Sequence, residues 1–505
     1  MPFSFLQASP DSNHWGALWP ELAVGCLALL LLLIEILLPR RAHKGIPAVA
    51  ILGQIAVLGG ILVHFHRAGF GHPIFNGLLL LTPLGQAMRV FFLVASILSC
   101  VLARVSLARQ SVPRVEFYTI LLVVAGSMML LVESRSFVML FVALETVTVG
   151  FYVLVGYFRR SALTLEAGLK YLVTGALGSS LLLFGIVLLY GVAGNPSLPS
   201  STDHGMNYGS LARFLEANPH NFLAAVGIAL VISGLAFKIG AFPFQFWIPD
   251  VYQGAPTPVT AFLAVASKAA GVVVLLVLAG TVFGPYDWLV VPAIGLLAAG
   301  SIIFGNLAAL SQPNVKRLMG LSGVSHAGFL LIGVLAGLGA SPGAGGPLFP
   351  QGAVLVYLFA YLFASYSVFG VMAHVAGPDD ADQQLEHYAG LAKDEPFLAG
   401  ILTIGLGSLA GIPPLAGFLG KFLVFMAALH AGLYWPLAVA VAGVVVSIYY
   451  YFGWIRAACF GNAPASRPER AAVGLTARIA LLGLAACSLL LVFVQGPLGR
   501  WLGGG

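Results

Sequence analysis

The sequence predicts an all-α polytopic membrane protein of about 14 transmembrane helices, with two inverted five-helix repeats that contain broken helices. The composition, the spacing of the apolar runs and the position of two interrupted runs lead to this prediction. Of 505 residues, 59% are hydrophobic and 8% are charged, whereas about a quarter of a soluble chain is charged. So few polar side chains cannot cover a water-soluble particle of this size, and most of the surface is therefore expected to face lipid.

The same composition argues against other classes of protein. Nucleic-acid binding is not expected despite the net charge of +6, because the basic residues segregate by membrane side. The sequence has no Walker A, H-E-x-x-H or strand-borne G-x-G-x-x-G motif, so we expect no active site and no cofactor in this chain. The cysteines lie far apart in apolar runs and are expected to be buried thiols: Cys26, Cys100, Cys459 and Cys487.

The apolar runs divide the chain into spans of the length that a bilayer requires, about 20 residues for a helix. Polar, glycine and proline clusters separate fourteen such runs. They lie at residues 17–38, 46–66, 84–107, 115–133, 136–158, 163–191, 222–248, 257–283, 287–309, 315–339, 351–376, 397–429, 432–459 and 474–494.

The basic residues predict the orientation of these spans. Fifteen of them, including Lys316, fall on odd-numbered loops, and five, including Arg89, fall on even-numbered loops and the two tails, taken with the helix ends that flank them. By the positive-inside rule, the odd-numbered loops are expected in the cytoplasm and both termini on the outer side. The chain is thus predicted to be a multi-pass protein of the inner (plasma) membrane.

The remaining four of the 24 basic residues are predicted to lie within spans: Lys170, Lys238, Lys268 and Lys421. Glu145 is the acid predicted near the middle of a span. Each charge at the bilayer centre costs about 2.5–3.5 kcal/mol on insertion scales, so these side chains are expected to face protein or water near partners. The alternative is a side chain that snorkels to the interface, and it fits least for Glu145 and Lys268, about 15 Å from either surface.

Two spans are interrupted by proline. The seventh reads GLAFKIGAFPFQFWIPDVYQG and the twelfth reads SLAGIPPLAGFLGKFLVF. Pro243, and Pro413 with Pro414, are expected to unwind the helix within the membrane. Unwound backbone is tolerated at that depth only inside protein or beside a cavity, so both interruptions are candidate functional positions.

The interruptions occur at matching places. Pro243 lies 128 residues after the start of the fourth span at residue 115, and Pro413 lies 126 residues after the start of the ninth at residue 287. Five spans separate these two starts, so the two units enter the membrane from opposite sides, as in inverted-repeat transporters. The alternative is that some of the 29 prolines match by chance.

This pattern predicts four parts of the chain. Residues 1–114 form an N-terminal three-helix segment, 115–283 the first inverted repeat, 287–460 the second, and 461–505 a C-terminal helix. Single titratable groups follow one another through the spans, whereas anion or sodium sites would need clustered donors or carboxylates. Such a series fits proton transfer, in which a changing distance between Glu and Lys loads or releases one proton.

Three segments carry a resemblance to a known family. They read FKIGAFPFQFWIPDVYQGAPTPVTAFLAVASK, SIIFGNLAALSQPNVKRLMGLSGVSHAGF and LAGIPPLAGFLGKF. The chain resembles over nearly its whole length the antiporter-like membrane subunits of respiratory complex I, specifically the N type, which is subunit 2 of mitochondrial NADH dehydrogenase. VASKAAG, with its lysine in the eighth span, favours the N type over its sister L and M types.

The resemblance implies roles for individual residues. Glu145 and Lys238 would be the coupled pair, Lys268 the central relay and Lys421 the group of the second half-channel. Lys170 and His326 would hold weaker positions on the same axis. Gln245 departs from the family, which often has histidine there, and this puts its part in proton entry in doubt.

The resemblance also implies partners. The chain would be a non-redox subunit of a proton-translocating NADH:quinone oxidoreductase, beside other membrane and peripheral subunits, with NADH, FMN, iron–sulfur clusters and quinone all bound by those partners. Two alternatives remain open from the sequence. One is a subunit of a cation/proton antiporter, and the other is a structural spacer whose buried charges could be neutralised without loss of transport.

Overall fold

The computed structural model describes residues 14–39, 42–64, 70–109, 112–338, 348–377, 380–381, 383–462 and 471–503. The described part is helical apart from loops and one small hairpin, in agreement with the predicted fold class. Several of the basic residues that were counted for orientation lie outside these ranges: Arg40, Arg41, Arg67, Arg467 and Arg470.

The α-helices follow one another from the N-terminus to the C-terminus with short connections. They are α1 (Trp19–Leu37), α2 (Ile46–His64), α3 (Pro83–Ala108), α4 (Val115–Glu133), α5 (Phe137–Val155), α6 (Ala162–Ala193), α7 (Tyr208–Ala217), α8 (Phe222–Ile239), α9 (Ile248–Gly254), α10 (Thr257–Phe262), α11 (Lys268–Thr281), α12 (Asp287–Ala309), α13 (Val315–Leu338), α14 (Leu348–Val375), α15 (Leu391–Asp394), α16 (Pro396–Ala410), α17 (Ala416–His430), α18 (Tyr434–Phe460) and α19 (Leu475–Gly503).

Within the described residues, 13 helices are long and apolar enough to cross a membrane. The prediction of about 14 differs because the twelfth span, residues 397–429, forms two shorter helices, α16 and α17, of 15 residues each. At 1.5 Å per residue each is about 22 Å long, too short to cross the hydrocarbon core alone.

Both predicted interruptions are present, but each helix ends before its proline. Gly240 and Gly411 follow α8 and α16 with φ of +76° and +88°. Glycine adopts this left-handed conformation without steric cost and ends a helix by turning the chain. The two repeats therefore share the same helix termination, which supports the predicted pairing of their broken spans.

The eighth predicted span contains an irregularity that the sequence did not indicate. A π-helical turn, Leu263–Ser267, joins α10 to α11 and ends directly before Lys268. A π-turn inserts one extra residue into the helical repeat, and such turns are frequent at functional sites. The insertion rotates Lys268 relative to the residues that precede the turn.

Two helices form the centre of the molecule. In their most apolar 18-residue windows, α13 is 100% buried and α14 is 94% buried, whereas α1, α2, α18 and α19 are each 33% buried. The peripheral helices therefore present most of their surface to lipid or partner chains. Polar side chains on α13 and α14 must find their partners within this chain.

Arg89 lies near the start of α3, within the predicted third span, but it is buried instead of facing the outer side. Its side chain is 2% exposed, between Glu21 and Glu133 at nitrogen–oxygen distances of 2.7 and 2.8 Å. Its guanidinium also donates to Gln86 and to the Ala17 carbonyl oxygen. An arginine paired this completely needs no contact with water, so its position gives no information on membrane orientation.

A short hairpin closes the same end of the molecule. Strand β1 (Pro73–Ile74) pairs antiparallel with β2 (Leu79–Leu80), with Pro73 opposite Leu80. An isolated bridge from Leu79 to Ser134 attaches the hairpin to the connection between α4 and α5. The hairpin thus links the N-terminal segment to the first repeat.

Candidate functional site

Glu145 on α5 and Lys238 on α8 lie close to each other, as the sequence predicted. Lys238 Nζ is 3.8 Å from Glu145 Oε1, and the two side chains are 7% and 26% exposed. The hydroxyl of Ser179 on α6 lies between them, since it donates to Glu145 Oε1 at 2.6 Å and accepts from Lys238 Nζ at 3.0 Å. Thr148 Oγ1 accepts a second hydrogen bond from Lys238 at 2.8 Å.

Sequence reasoning missed both hydroxyl residues. A serine or threonine in an apolar helix usually bonds the carbonyl one turn back, as Thr148 does to Leu144 at 2.8 Å, and such a residue carries no functional signal by itself. Gly178 explains why Ser179 can reach the pair. A Cβ at Gly178 would lie 2.6 Å from Phe237 Cγ, so only glycine lets α6 approach α8 this closely.

Lys268 is the most isolated charge of the series. Its side chain is buried, its ammonium donates to the Gly323 carbonyl oxygen on α13, and it lies 5.4 Å from the centroid of the Tyr361 ring. No carboxylate lies within 4.0 Å of it among the residues that the structure describes. A buried ammonium with only dipoles and a ring around it is poorly stabilised, which suits a group that gives up its proton.

His326, on α13, is the next titratable residue of the buried series. Its Nδ1 is 2.7 Å from the Tyr357 hydroxyl and its Nε2 is 3.1 Å from the Tyr451 hydroxyl. Its ring centroid lies 4.9 Å from that of Tyr361, the residue over which Lys268 lies. A neutral imidazole donates at one nitrogen and accepts at the other, so His326 can join the two hydroxyls into one hydrogen-bonded chain.

Lys421 on α17 folds back onto the end of the preceding helix. Its Nζ donates to the carbonyl oxygens of Leu409 and Ala410 at 2.8 and 3.0 Å. These are among the last carbonyls of α16, which have no partner within the helix and carry its negative partial charge. The lysine predicted beside the second interruption is therefore bound by the carbonyl oxygens of the helix end at that interruption.

A cavity joins His326 to Lys421. It is a small space, lined by both side chains together with Tyr357, Tyr361 and Ser408. Lysine, imidazole and hydroxyl groups give water the several polar partners that a buried water needs. The second half of the molecule thus places its titratable groups around a single space.

Helix α8, which carries Lys238, contacts α11, which begins with Lys268. A Cβ at Gly271 would lie 2.8 Å from Ile239 Cγ1. Ile239 follows Lys238 in sequence, and Gly271 lies three residues after Lys268. The helices that carry the lysine of the first break and the central lysine therefore pack directly against each other.

Lys170 lies outside this buried series. Its side chain is 43% exposed and pairs with Glu166 at 2.6 Å and with Asp250 at 2.7 Å. Arg317 pairs with the other oxygen of Asp250 at 2.6 Å. Burial alone would raise the pKa of Asp250, but the hydrogen bonds from Lys170 and Arg317 outweigh it and hold that pKa below its usual value.

Lys316 was counted with a cytoplasmic loop, at the start of the tenth predicted span, but it is buried. Its side chain is 0% exposed at the start of α13, 3.3 Å from Asp380. It donates to the Ala255 carbonyl at 2.5 Å, and Asp380 accepts from the amide of Thr257 at 2.6 Å. These contacts bind the segment after the first break to the second repeat.

Gln245 lies in the break between α8 and α9. It is 5% exposed, and its Oε1 has no hydrogen-bond partner among the described residues. Its part in proton entry stays untested. The described residues also contain no group of three His, Cys, Asp or Glu side chains placed to hold a metal ion.

Comparisons with known proteins identify the family of the chain. The family model described as NADH:quinone oxidoreductase/Mrp antiporter, TM matches residues 134–447. NADH-quinone oxidoreductase subunit N 1 of Opitutus terrae is 62% identical over 497 residues, which cover 97% of this chain and 97% of that protein.

Solved structures show the same fold. A chain of respiratory complex I from Thermus thermophilus, with bound aureothin, is 31% identical with a TM-score of 0.78 and covers 94% of this chain and 97% of its own. A chain of the Mrp complex from Dietzia sp. is 19% identical with a TM-score of 0.79, covers 97% of this chain and 96% of its own, and shows a likeness of fold alone.

Proposed function

The chain belongs to the subunit N family of NADH-quinone oxidoreductase, the antiporter-like, proton-translocating membrane subunits of that complex, and we propose that Glu145, Lys238, Lys268 and Lys421 carry its protons. One observation carries the proposal most directly. Ser179 bridges a carboxylate and an ammonium that are 3.8 Å apart within apolar helices. A hydroxyl that donates to the base and accepts from the acid is placed to pass a proton between them.

The first half of the path would work by changing one distance. While Glu145 stays near Lys238, its negative charge favours the protonated lysine; when the two separate, the ammonium is left in apolar surroundings and releases its proton. We take Lys268 as the acceptor, since its helix packs against the helix of Lys238 through the contact of Gly271 with Ile239.

The second half would pass the proton from Lys268 to Lys421. His326, with its tyrosine hydroxyls, lies between the two lysines, and it lines the same small cavity as Lys421. The carbonyls at the end of α16 stabilise the ammonium of Lys421. Any movement of α16 relative to α17 would change that stabilisation and so load or unload this lysine.

The proposal makes this chain a non-redox subunit. NADH, FMN, iron–sulfur clusters and quinone would be bound by partner subunits, and their chemistry would act on this chain only through its neighbours. Glu145 supports the presence of such neighbours, because its side chain is 26% exposed on a helix that also exposes Val142 and Val149. A carboxylate at this depth needs a polar cover, which an adjacent membrane subunit would supply.

We propose the four parts of the chain with the boundaries predicted above. The shared helix termination at Gly240 and Gly411 supports the two repeats, 115–283 and 287–460. The likeness to the Mrp chain does not favour an antiporter as a second candidate, because 19% identity shows the fold alone.

The predicted orientation can be checked by cysteine labelling in whole cells. In a variant lacking native cysteines, a cysteine at the exposed Asp203 should react with an impermeant maleimide from outside, and one at the exposed Glu386 only after the cells are opened. Glu386 is used because Asp379, where the predicted acidic loop to Glu395 begins, lies outside the described residues. Reaction of both positions from one side would contradict the predicted topology of fourteen spans.

Ser179→Ala tests the proton path. Without the bridging hydroxyl, proton pumping by the complex in proteoliposomes should fall roughly tenfold, because Glu145 and Lys238 lose their hydrogen-bonded link. The matched control is Ser180→Ala, which removes the exposed hydroxyl of the next residue, bonded to its own helix at Ala176. Equal pumping by the two variants, both assembled on native gels, would show that Ser179 is not part of the path.

A further inference from the structure

The carboxylate of Asp380 joins the start of α10 to the start of α13. Asp380 lies five residues after the end of α14, and its side chain is 10% exposed. Its two oxygens accept hydrogen bonds from Thr257, the first residue of α10, at 2.6 Å from the amide and 2.7 Å from the hydroxyl. The same carboxylate lies 3.3 Å from Nζ of Lys316, which also donates to the Ala255 carbonyl oxygen at 2.5 Å.

The loop that carries Asp380 is fixed to the first turn of α13. The amide of Val315 donates to the Gln383 carbonyl oxygen at 2.8 Å, and the side chain of Asn314 donates to the Ala381 carbonyl oxygen at 3.0 Å. Backbone and side-chain bonds thus make the loop and the start of α13 one unit. Asp380 is the group by which this unit binds the first residue of α10.

The span that begins at Thr257 carries Lys268. It runs from Thr257 to Thr281, and α10 continues through the π-helical turn into α11. On α13, Gly323 accepts a hydrogen bond from the Lys268 ammonium and lies seven residues after Lys316. Residues seven apart share one face of a helix. The span of Lys268 is therefore bound to one face of α13 at two heights, near its start and at the lysine itself.

Packing determines where the Lys268 ammonium lies. Among the described residues no carboxylate lies within 4.0 Å of it, so no ion pair fixes its position there. A Cβ at Gly323 would lie 2.9 Å from Lys268 Nζ, so the amine lies directly against α13. Lys268 belongs to the first repeat, and Gly323 and His326 belong to the second. The proposed proton path thus crosses from one repeat to the other at this contact.

We propose that Asp380 is a positioning residue for proton transfer between the two repeats. By holding the start of α10 on α13, it keeps the Lys268 ammonium at the Gly323 carbonyl oxygen and over the Tyr361 ring, beside His326. The inference rests on the proposed function of Lys268 as a proton carrier, and Asp380 acts through that lysine. A misplacement of about 1 Å can lower a rate about 10²-fold, so a small shift of α10 along α13 would slow the transfer.

Asp380→Asn tests this role. The variant replaces one accepting oxygen by an amide nitrogen, which cannot accept the bonds that Thr257 and Lys316 donate. Proton pumping by the assembled complex in proteoliposomes should fall roughly tenfold. Glu386→Gln, which changes an exposed acid of the same loop, is the matched control and should pump like the wild type. Wild-type pumping by Asp380→Asn would overturn the proposal.

Thr257 offers a milder pair of variants in case Asp380→Asn does not assemble. Thr257→Val keeps the shape of the side chain and removes the hydroxyl that bonds Asp380, whereas Thr257→Ser keeps the hydroxyl. The valine variant should pump severalfold less than the serine variant at equal assembly on native gels. Equal pumping by the two variants would overturn the proposal.

A double-mutant cycle distinguishes positioning of Lys268 from a general structural role. In complexes that already carry Lys268→Met, adding Asp380→Asn should cause no further loss of pumping, because Asp380 acts through that lysine. Independent structural effects would instead multiply the two losses, and that result would overturn the proposal. Wild-type pumping by Lys268→Met would overturn the proposed function and this inference together. A failure of the inference alone leaves Lys268→Met impaired, so the two failures are distinguishable.

Discussion

Glu145→Gln is expected to lower proton pumping, and the quinone reduction coupled to it, by at least about tenfold, since a positioned proton-transfer group contributes roughly 10²–10⁴-fold. The variant keeps the hydrogen bonds of Lys238 to Thr148 and Ser179 but removes its counter-charge. Lys238 can then no longer hold the transferred proton in apolar surroundings. Glu145→Asp keeps the charge one methylene further away and should be milder. Proteoliposome pumping, compared with assembly on native gels, measures both effects.

Substitutions at Lys238 distinguish a loss of proton transfer from a defect in assembly of the complex. Lys238→Arg should assemble but pump poorly, because arginine does not release its proton in a protein, and Lys238→Ala should be worse on both counts. The double variant Glu145→Gln with Lys238→Met should assemble at least as well as either single variant, since no charge is left buried alone. Normal pumping by Glu145→Gln at neutral pH would instead make Glu145 a structural counter-charge.

Replacing Lys268 with methionine is expected to lower turnover as much as Glu145→Gln does, without impairing assembly of the complex. Because no carboxylate lies near it among the described residues, Lys268→Met removes an uncompensated buried charge and should assemble as well as the wild type, while pumping falls at least about tenfold. Lys268→Arg makes that charge permanent and should assemble poorly. Wild-type pumping by Lys268→Met would remove this lysine from the path.

Two glycine substitutions test whether pumping depends on the position of the Lys268 amine. A Cβ at Gly323 would lie 2.9 Å from Lys268 Nζ and 3.2 Å from the Tyr361 hydroxyl, so Gly323→Ala should displace the amine and lower pumping partially. Gly280→Ala, on the same helix as Lys268, meets nothing within 4 Å and should leave pumping unchanged. A loss at Gly280 equal to that at Gly323 would point to helix stability instead of lysine position.

The sequence predicted the fold and the candidate residues for reasons that are local. Apolar runs of membrane length and two interrupted spans depend only on nearby residues, and both survive in the structure, apart from the division of the twelfth span into α16 and α17. A charged residue within an apolar run is recognisable as a candidate because placing it in lipid costs free energy. The sequence alone was therefore enough to single out Glu145, Lys238, Lys268 and Lys421 as candidates.

Other features could not be read from the chain. Lys170 looks like the other three lysines in sequence, but it pairs with Glu166 and Asp250 at an exposed position. Arg89 and Lys316 lie near the ends of their predicted spans and were counted with the flanking loops, but both are buried with acidic partners. Whether a charge near a helix end reaches water depends on which distant acid folds against it, and spacing along the chain does not show this.

What the sequence alone determined is that this protein crosses the membrane many times, carries a few charges within its spans and breaks two helices at matching places. The tertiary structure alone decided how those charges are connected: Ser179 between Glu145 and Lys238, Gly323 under Lys268, and the end of α16 around Lys421. The reason is physical. Lipid penalises an intramembrane charge wherever it stands in the chain, whereas hydroxyls, ring faces and helix-end carbonyls stabilise it only when packing brings helices distant in sequence within about 3 Å.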